Sequence, residues 1–308
     1  MGVNVLIEIL PDHIQSVFRR LPVEHIYELR LRCNTPAIIS TANRSFYLSP
    51  TGLESSFSNA IITTRSDLET IVHKASDYSL YAVNEQLKQG FITIRGGVRI
   101  GICGELVMER GVISTIKNIS SLNIRIPHQI RGCSYAVLPY IFTSAYPLKT
   151  LIISPPGAGK TTFLRDLAWQ VCDKYNMPNV LILDERGEIA ANYLGENQLD
   201  VGHCSDVLTG CPKSYGFENG IRSMRPDLII TDEIASCEDI AMVKLAARSG
   251  TCVFASVHAR GIDEVRLKPH FRELIDDQVF DRYVVLTVKD TAGVVSGIYD
   301  KYLKLLAL

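Results

Sequence analysis

One short run of residues restricts the fold of this chain more than any other: Ser154-Pro155-Pro156-Gly157-Ala158-Gly159-Lys160-Thr161-Thr162. It follows an apolar stretch at residues 150–153 and precedes a segment, 161–174, with the pattern of a helix. In such a loop the glycines let successive main-chain N–H groups turn into one concavity, which holds phosphate at the positive end of the helix. The run therefore predicts a P-loop in a domain of the α/β class.

Every residue of this run is expected to take part in binding ATP. Lys160 supplies positive charge to the β- and γ-phosphates, and the Thr161 hydroxyl is a ligand for Mg²⁺. Ser154 stands where the usual pattern begins with Gly, but the Gly-x-Gly-Lys-Thr core is intact. We therefore predict ATP and Mg²⁺ as the cofactors.

Further apolar runs occur in the second half of the chain, at residues 180–183, 228–231, 252–257 and 283–288. They are continuous rather than alternating, as in the strands of a parallel sheet that is buried on both faces. A helical pattern separates some of them, as at residues 238–249, and residues 294–299 predict the return strand of a hairpin. The second half is thus predicted to be a RecA-like P-loop domain, a mainly parallel sheet flanked by helices.

Ionisable residues follow three of these runs: Asp184-Glu185, Asp232-Glu233 and His258. Because ligands bind outside the carboxyl ends of the strands in an open parallel sheet, we expect these side chains to converge on the P-loop. Asp232 and Asp184 are predicted Mg²⁺ ligands. Glu233 is predicted to orient and deprotonate the attacking water, and Glu185, His258 and Lys160 are the other catalytic candidates at these positions.

Simpler explanations of these residues remain open. Asp184 and Glu185 are also suited to capping a following helix or pairing with Arg186. His258 is also suited to a structural hydrogen bond, and Asp232-Glu233 to a turn at a strand end.

The first half of the chain has a different pattern, which predicts a smaller α+β domain over residues 1–140, followed by the RecA-like domain over 141–308. Residues 12–21 and 65–78 are predicted helices, the second with Ser66 and Glu69 as a capping box. Residues 90–104 predict a β-hairpin with its turn at residues 95–97.

Charge and cysteine content exclude several other classes of protein. The formal net charge is −1, so no overall basic field exists to hold nucleic acid. No apolar run reaches the roughly 18 residues of a membrane-spanning helix, and the N-terminus lacks the features of a secretory signal. The 8 cysteines form no CxxC pair, and we interpret them as reduced thiols. His203, Cys204 and Cys211 come nearest to a metal cluster, which we regard as the less favoured interpretation.

The order of the motifs resembles that of the secretion-type ATPases of type II, type IV and pilus systems. Their Walker A motif, Asp box, Walker B motif and His box correspond here to SPPGAGKTT, LILDERGEI, LIITDEI and ASVHA. Residues 221–227, just before the Walker B motif, look like the segment that those proteins carry there. Within this superfamily the chain resembles the stage III sporulation protein AA family of endospore-forming bacteria. That resemblance extends to the first half through residues 28–32, Pro36, 90–101 and 124–126.

The resemblance implies a function that the residue pattern alone does not. Relatives are ring-forming, Mg-dependent ATPases, so a hexameric homo-oligomer is expected. It is expected in the cytoplasm, at the mother-cell face of a membrane, powering or assembling a channel between mother cell and forespore. The expected partners are membrane proteins of that channel, with no nucleic acid and no small-molecule substrate other than ATP.

Such a ring closes its site with an arginine from a neighbouring domain or subunit, because positive charge at the γ-phosphate stabilises the transition state. The candidates are Arg95, Arg99 and Arg125 in the first domain and Arg222 and Arg225 in the second. We favour Arg222 and Arg225, which share a face if their segment is helical. Val98 and Ala235-Ser236 stand where the relatives commonly have His and Gly-Arg, so no arginine is available at the latter position.

Two other functions remain as alternatives. RecA-like domains also drive helicases and recombinases, so a nucleic-acid motor is one. A slow nucleotide-dependent assembly switch, which binds ATP but scarcely hydrolyses it, is the other. The complete acidic set, including Glu233, favours the ATPase.

Overall fold

A computed structural model of the chain describes residues 2–41, 44–144, 146–175, 177–289 and 291–308. Contacts divide the chain into two compact units, Met1–His128 with Tyr193–Gln198, and Gln129–Asn192 with Leu199–Leu308. Residues 129–140 therefore belong to the second unit by their contacts. The boundary after residue 140 stays a prediction from the sequence.

The first unit contains short helices around an antiparallel sheet. Its helices are α1 (Gly2–Ile9), α2 (Asp12–Phe18), α3 (Arg65–Ala75) and α4 (Asn84–Lys88), with a 3₁₀ turn at Val23–His25. Its strands are β1 (Glu28–Arg32), β2 (Thr35–Pro36), β3 (Ile38–Ser40), β4 (Ser45–Ser49), β5 (Gly52–Glu54), β6 (Ile62–Thr63), β7 (Phe91–Thr93), β8 (Arg99–Glu109) and β9 (Val112–Arg125). Seven of these strands form one sheet in the order β5-β4-β3-β1-β9-β8-β7, and β2 pairs with β6.

Local sequence explains most of these elements. In β1 the buried side chains Leu29 and Leu31 alternate with arginines, which is the period of a strand with one covered face. The predicted hairpin is confirmed, because β7 pairs antiparallel with β8 across Gly96 and Gly97, at φ of 84° and 75°. The predicted capping box of α3 is wrong: Thr64 and Asp67 form it, because the helix already begins at Arg65 and Ser66 lies inside its first turn.

The second unit is built on a mixed sheet of mainly parallel strands. Its helices are α5 (Leu138–Ile141), α6 (Lys160–Tyr175), α7 (Lys213–Met224), α8 (Cys237–Arg248), α9 (Ile262–Leu267) and α10 (Pro269–Asp276), with a 3₁₀ turn at Tyr135–Val137. Its strands are β10 (Thr150–Ser154), β11 (Val180–Asp184), β14 (Ser205–Thr209), β15 (Leu228–Glu233), β16 (Cys252–His258), β17 (Arg282–Thr287), β18 (Val294–Asp300) and β19 (Leu305–Ala307). The small strands β12 (Asn192–Tyr193) and β13 (Glu196–Asn197) pair with each other, and β13 belongs by its contacts to the first unit.

The large sheet has the order β14-β11-β15-β16-β10-β17-β18-β19. The strands from β14 to β17 in this order run parallel, and β18 and β19 are antiparallel. The predicted strands are thus all present, including the return strand β18. The apolar runs are continuous because both faces are covered: Ile152 packs with Phe163 of α6 on one face, and Leu151 and Ile153 pack in the cluster with Phe217 of α7 on the other.

Cys172 of α6 and Cys204, just before β14, form a disulfide, with their Cα atoms 5.6 Å apart. The expectation that every cysteine is a reduced thiol is therefore wrong for this pair. The two residues are 32 positions apart in no recognisable spacing, and only the fold brings them together. The remaining cysteines are free thiols. Among the described residues no group of three or more His, Cys, Asp and Glu could hold a metal ion, so the cluster around His203 is not formed.

In the part of the chain that the structure describes, no helix is both long enough and apolar enough to cross a membrane.

Candidate active site

The predicted P-loop connects β10, which ends at Ser154, to α6, which begins at Lys160. Gly157 and Gly159 have φ of 80° and 82°, in the left-handed region that favours glycine. A Cβ on Gly159 would lie 2.4 Å from the Cβ of Ala292, so the loop can pack there only without a side chain. A Cβ on Gly157 would meet nothing within 4 Å, and the loop is open on that side.

The main-chain N–H groups of this loop are available for a ligand. Those of Gly157, Gly159, Lys160, Thr161 and Thr162 donate to no acceptor in the described part of the chain. The first N–H groups of any helix lack partners within it, and the helix dipole adds positive potential at this end. The loop is therefore suited to binding an anion with several oxygens, such as a polyphosphate.

Three predicted catalytic side chains meet beside the loop. The Nζ atom of Lys160 lies 3.7 Å from Glu233 Oε2 and 3.3 Å from His258 Nε2. His258 Nε2 is 3.3 Å from the same Glu233 oxygen. Burial lowers the pKa of Lys160, and the negative charges of Glu233 and Asp232 oppose that effect.

Sheet order explains why these side chains meet. Strand β16 lies between β15 and β10, so His258, at the end of β16, stands beside Ser154 in the register. His258 Nδ1 is 3.2 Å from the Ser154 carbonyl oxygen. Because a carbonyl can only accept, this contact assigns a proton to Nδ1.

A second group of charges lies around Asp232, which is 7% exposed. Lys213 Nζ is 3.1 Å from Asp232 Oδ1 and also contacts Glu185 Oε2. Asp232 Oδ1 is buried but has no aligned hydrogen bond to any described residue, so the contact with Lys213 is an ion pair only. Burial raises the pKa of Asp232, and the charge of Lys213 opposes this. Sequence reasoning missed Lys213, although a lysine at the first position of a helix is an electrostatic anomaly that signals a partner.

Asp184 faces its own loop rather than the P-loop. Its two carboxylate oxygens accept hydrogen bonds from the N–H groups of Glu188, Ile189 and Ala190, at 2.9 to 3.1 Å. Burial raises its pKa, and these hydrogen bonds oppose the shift. The geometry favours the simpler alternative, in which Asp184 fixes the loop after its strand, and the metal-binding role stays a prediction.

Arg165 of α6 holds the same loop from the other side, and sequence reasoning missed this residue as well. Its guanidinium donates to the carbonyl oxygens of Ile189 and Glu188, each at 2.6 Å. Burial lowers its pKa to about 10, and the charge of Asp184 opposes the shift. The helix that begins at Lys160 thereby also fixes the segment that carries Glu185.

The roles of Thr161 and Glu185 stay predictions, and the structure gives their positions. Thr161 is in the first turn of α6, and its hydroxyl makes no hydrogen bond to a described residue. Glu185 follows β11 and is paired with Lys213. Arg186 Nη1 is 4.0 Å from Glu233 Oε2, so this arginine contacts the catalytic candidate.

Arg222 and Arg225 are not part of this group. Helix α7 begins at Lys213 beside Asp232 and ends at Met224, only a short loop before β15 begins. Strand β15 runs from there toward Asp232. Both arginines therefore lie at the amino ends of the parallel strands, whereas the P-loop lies at their carboxyl ends. They also do not share a helical face, since Arg225 has the left-handed conformation, with φ of 49°. Their function in a site of another subunit stays a prediction.

The arginine candidates of the first unit lie on or beside its hairpin strands. Arg99 stacks on Phe91, with its guanidinium carbon 3.6 Å from the ring centre, and Arg125 is its neighbour across β8 and β9. Arg95 is exposed beside the hairpin turn. A role for any of them at a nucleotide stays a prediction.

Comparison with known proteins shows to which family this chain belongs. The family model described as "Sporulation stage III, protein AA" matches residues 4–306, nearly the whole chain. The chain belongs to this family. Stage III sporulation protein AA of Bacillus subtilis (strain 168) is 38% identical over 304 residues, which cover 97% of this chain and 95% of that protein.

Solved structures show which fold the family has. The ATPase DotB of Yersinia pseudotuberculosis has a TM-score of 0.59 at 15% identity, covering 91% of this chain and 76% of that one. The pilus retraction motor PilT, solved with bound ADP, has a TM-score of 0.55 at 14% identity, covering 88% of this chain and 76% of that one. The predicted fold class is confirmed: this sporulation family has the α/β fold of the P-loop secretion ATPases.

Proposed function

We propose that this chain binds ATP together with Mg²⁺ and hydrolyses it. One observation carries the proposal: the unpartnered N–H groups of Gly157 and of residues 159–162 open beside Lys160, Glu233 and His258 at the carboxyl ends of the strands. Unpaired N–H groups are usual at a helix N-terminus, but these stand beside a buried lysine and a carboxylate. A site for phosphoryl transfer needs both, because that reaction depends on positioning and charge stabilisation.

The residues present also fit a magnesium ion. The Thr161 hydroxyl has no partner among the described residues, and Asp232 Oδ1 is a buried oxygen without an aligned hydrogen bond. Hard oxygen ligands of this kind suit Mg²⁺, which takes few protein ligands and several from phosphate and water. When bound, the ion neutralises negative charge on the phosphate oxygens. Asp184 is the weaker candidate, since both of its oxygens already accept main-chain hydrogen bonds.

The remaining side chains divide the chemical work. Glu233 is the acceptor for the proton of the attacking water, and the ion pair with Lys160 holds its carboxylate in place. His258 Nε2 lies 3.3 Å from both groups. Lys160 is the first residue of the helix whose N–H groups open into the loop. Lys160 and the helix dipole together favour a polyphosphate over a neutral ligand.

At the level of the assembly, we propose a homo-oligomeric ring, most simply a hexamer, that works with membrane proteins at the mother-cell face of a membrane during sporulation. The family and the secretion-ATPase fold support this proposal. The position of Arg222 and Arg225, far from their own P-loop, is what a residue that completes a neighbouring site requires. In this proposal the ring powers or assembles a channel between mother cell and forespore.

Phosphate release from ATP tests the proposed reaction. Glu233→Gln should bind Mg-ATP with unchanged affinity but turn it over about a hundredfold more slowly, because it removes the proton acceptor alone. Lys160→Ala should lose both binding and turnover. The matched control is Glu238→Gln, which changes an exposed glutamate of α8 and should turn over ATP like wild type.

Equal rates for the wild type and Lys160→Ala would reject hydrolysis at this site. Nucleotide binding without turnover would then favour the assembly switch.

A further inference from the structure

Lys213 is buried at a position that disfavours a lysine. Its side chain is 7% exposed, and lysine is rarely buried in proteins unless it is paired. It is also the first residue of α7, where the positive potential of the helix N-terminus opposes a cation. Helix stability does not explain this residue, so the explanation lies in what its ammonium group contacts.

The contacts of Lys213 are two carboxylates from neighbouring strands. Its Nζ atom contacts Glu185 Oε2, after β11, and lies 3.1 Å from Asp232 Oδ1, in β15. These strands are adjacent and parallel, so the ammonium group bridges two strand ends at the edge of the sheet where the nucleotide site is proposed. The positive charge of Lys213 thus lies between two carboxylates that would otherwise repel each other.

The ion pair with Asp232 leaves that oxygen only partly satisfied. Asp232 Oδ1 is buried, and among the described residues it has no hydrogen bond of good geometry. The Lys213 ammonium group lies 3.1 Å away as an ion-pair partner. A divalent cation bound to the same oxygen would lie within a few ångströms of Nζ and repel it. The two cations therefore compete for one ligand.

We propose that Lys213 is a built-in counter-ion, which holds Glu185 and Asp232 in place in the metal-free protein and competes with Mg²⁺ for Asp232. It is a positioning residue that sets the Mg²⁺ concentration at which the site fills. This inference rests on the Mg²⁺ site proposed above.

Thermal unfolding with MgCl₂ alone, without nucleotide, tests the competition. Lys213→Met keeps the length of the side chain but removes the charge. Without metal it should unfold at a lower temperature than wild type, because the buried Asp232 and the more exposed Glu185 lose their partner. Its half-maximal stabilisation should need about a tenfold lower Mg²⁺ concentration, because the competing charge is gone. Lys213→Arg, which keeps the charge, should resemble the wild type.

A matched control lies elsewhere in the same unit. Lys244 of α8 also bridges two carboxylates, Glu273 and Asp277, the second at 2.7 Å. Lys244→Met should lower the unfolding temperature but leave the Mg²⁺ midpoint at the wild-type value. A purely structural role of Lys213 would give this same result.

An Mg²⁺ midpoint for Lys213→Met that equals or exceeds that of wild type overturns the inference but not the proposed ATPase. If no variant responds to Mg²⁺, with or without nucleotide, the inference and the proposed Mg²⁺ site both fail. Should Lys213→Met not fold, the double variant Lys213→Met/Glu185→Gln removes the repulsion between the carboxylates. It should still bind Mg²⁺ more tightly than wild type, and weaker or equal binding overturns the inference.

Discussion

At the scale of single residues, Lys160 combines two opposing demands. Its ammonium group must be charged to bind phosphate, yet burial favours the neutral amine and lowers its pKa. The negative charge of Glu233, 3.7 Å away, stabilises the charged form of Lys160 and opposes part of this lowering. A bound polyphosphate would add more negative charge and raise the pKa again.

This opposition predicts proton uptake when nucleotide binds. Well below the lowered pKa, Lys160 is charged in both states and no proton is exchanged. As the pH rises toward the usual lysine value of about 10.4, the free protein loses the proton first, so binding takes one up and becomes weaker. Calorimetry in two buffers of different ionisation enthalpy measures this uptake, which should grow with pH.

Lys160→Arg is the control for that measurement, since arginine remains charged throughout the range. It should bind without uptake of a proton. Proton release by the wild type, or uptake that does not depend on pH, would contradict the assignment to Lys160.

The sequence predicted which residues of the separate motifs would converge, while their roles stay predictions. Lys160, Glu233 and His258 were expected to converge, and the sheet order brings them together. Lys213, Arg165 and the Cys172–Cys204 disulfide were not predicted. Their partners are remote in the sequence and are defined only by how α6, α7 and the strands pack, which no local pattern records.

At the scale of elements, the P-loop depends on its two glycines for different reasons. Both have left-handed backbone, but only Gly159 is packed against another segment. That segment is Ala292–Gly293, and the Gly293 N–H donates to the Ala158 carbonyl at 2.9 Å. The turn before β18 thus braces the loop after β10.

Two matched substitutions separate these effects. Gly157→Ala should reduce the free energy of unfolding by about 1 kcal/mol, the cost of left-handed backbone for a residue with a Cβ. Gly159→Ala should cost about 3 kcal/mol or more, because overpacking against Ala292 is added to the same backbone cost. Urea denaturation measures both. Equal losses for the two variants would show that the contact with Ala292 does not constrain the loop.

Strands could be predicted from the sequence where both faces of the sheet are covered, because their apolar runs are continuous. The continuous apolar runs of β10, β11, β15 and β16 identified central parallel strands within one or two residues of their ends. The edge strand β14, Ser205–Thr209, was missed because it pairs on one side only and its sequence, SDVLT, is largely polar. Tertiary pairing, rather than local preference, makes it a strand.

At the scale of the whole molecule, the first unit has one hydrophobic cluster and the second unit has two. The P-loop, the carboxylates and His258 all belong to the second unit. Arg222 and Arg225 do not reach this site in their own subunit, because they lie at the other end of the parallel strands. The ring that we propose would supply one from a neighbouring subunit.

Mixing two inactive variants tests that part of the proposal. Lys160→Ala inactivates the nucleotide site of the subunit that carries it. Arg225→Ala leaves that site intact and removes only the arginine that the subunit contributes to the site of its neighbour. Each alone should be inactive, but a 1:1 mixture should regain about a quarter of wild-type turnover, since random assembly in a ring restores that fraction of sites.

Lys160→Ala mixed with Glu233→Gln is the control, because both changes damage the subunit's own site and no combination restores it. If light scattering shows mixed rings of Lys160→Ala and Arg225→Ala but phosphate release does not recover, Arg225 does not act between subunits.

The most direct test of the account concerns the loop amides themselves. In ¹⁵N–¹H spectra of the protein titrated with Mg-ADP, the resonances of residues 157 and 159–162 should shift more than any others and become protected from solvent exchange, because phosphate oxygens accept from them. Binding that shifts other resonances and leaves these unchanged, or no binding at all, would contradict the assignment of this loop as the nucleotide site.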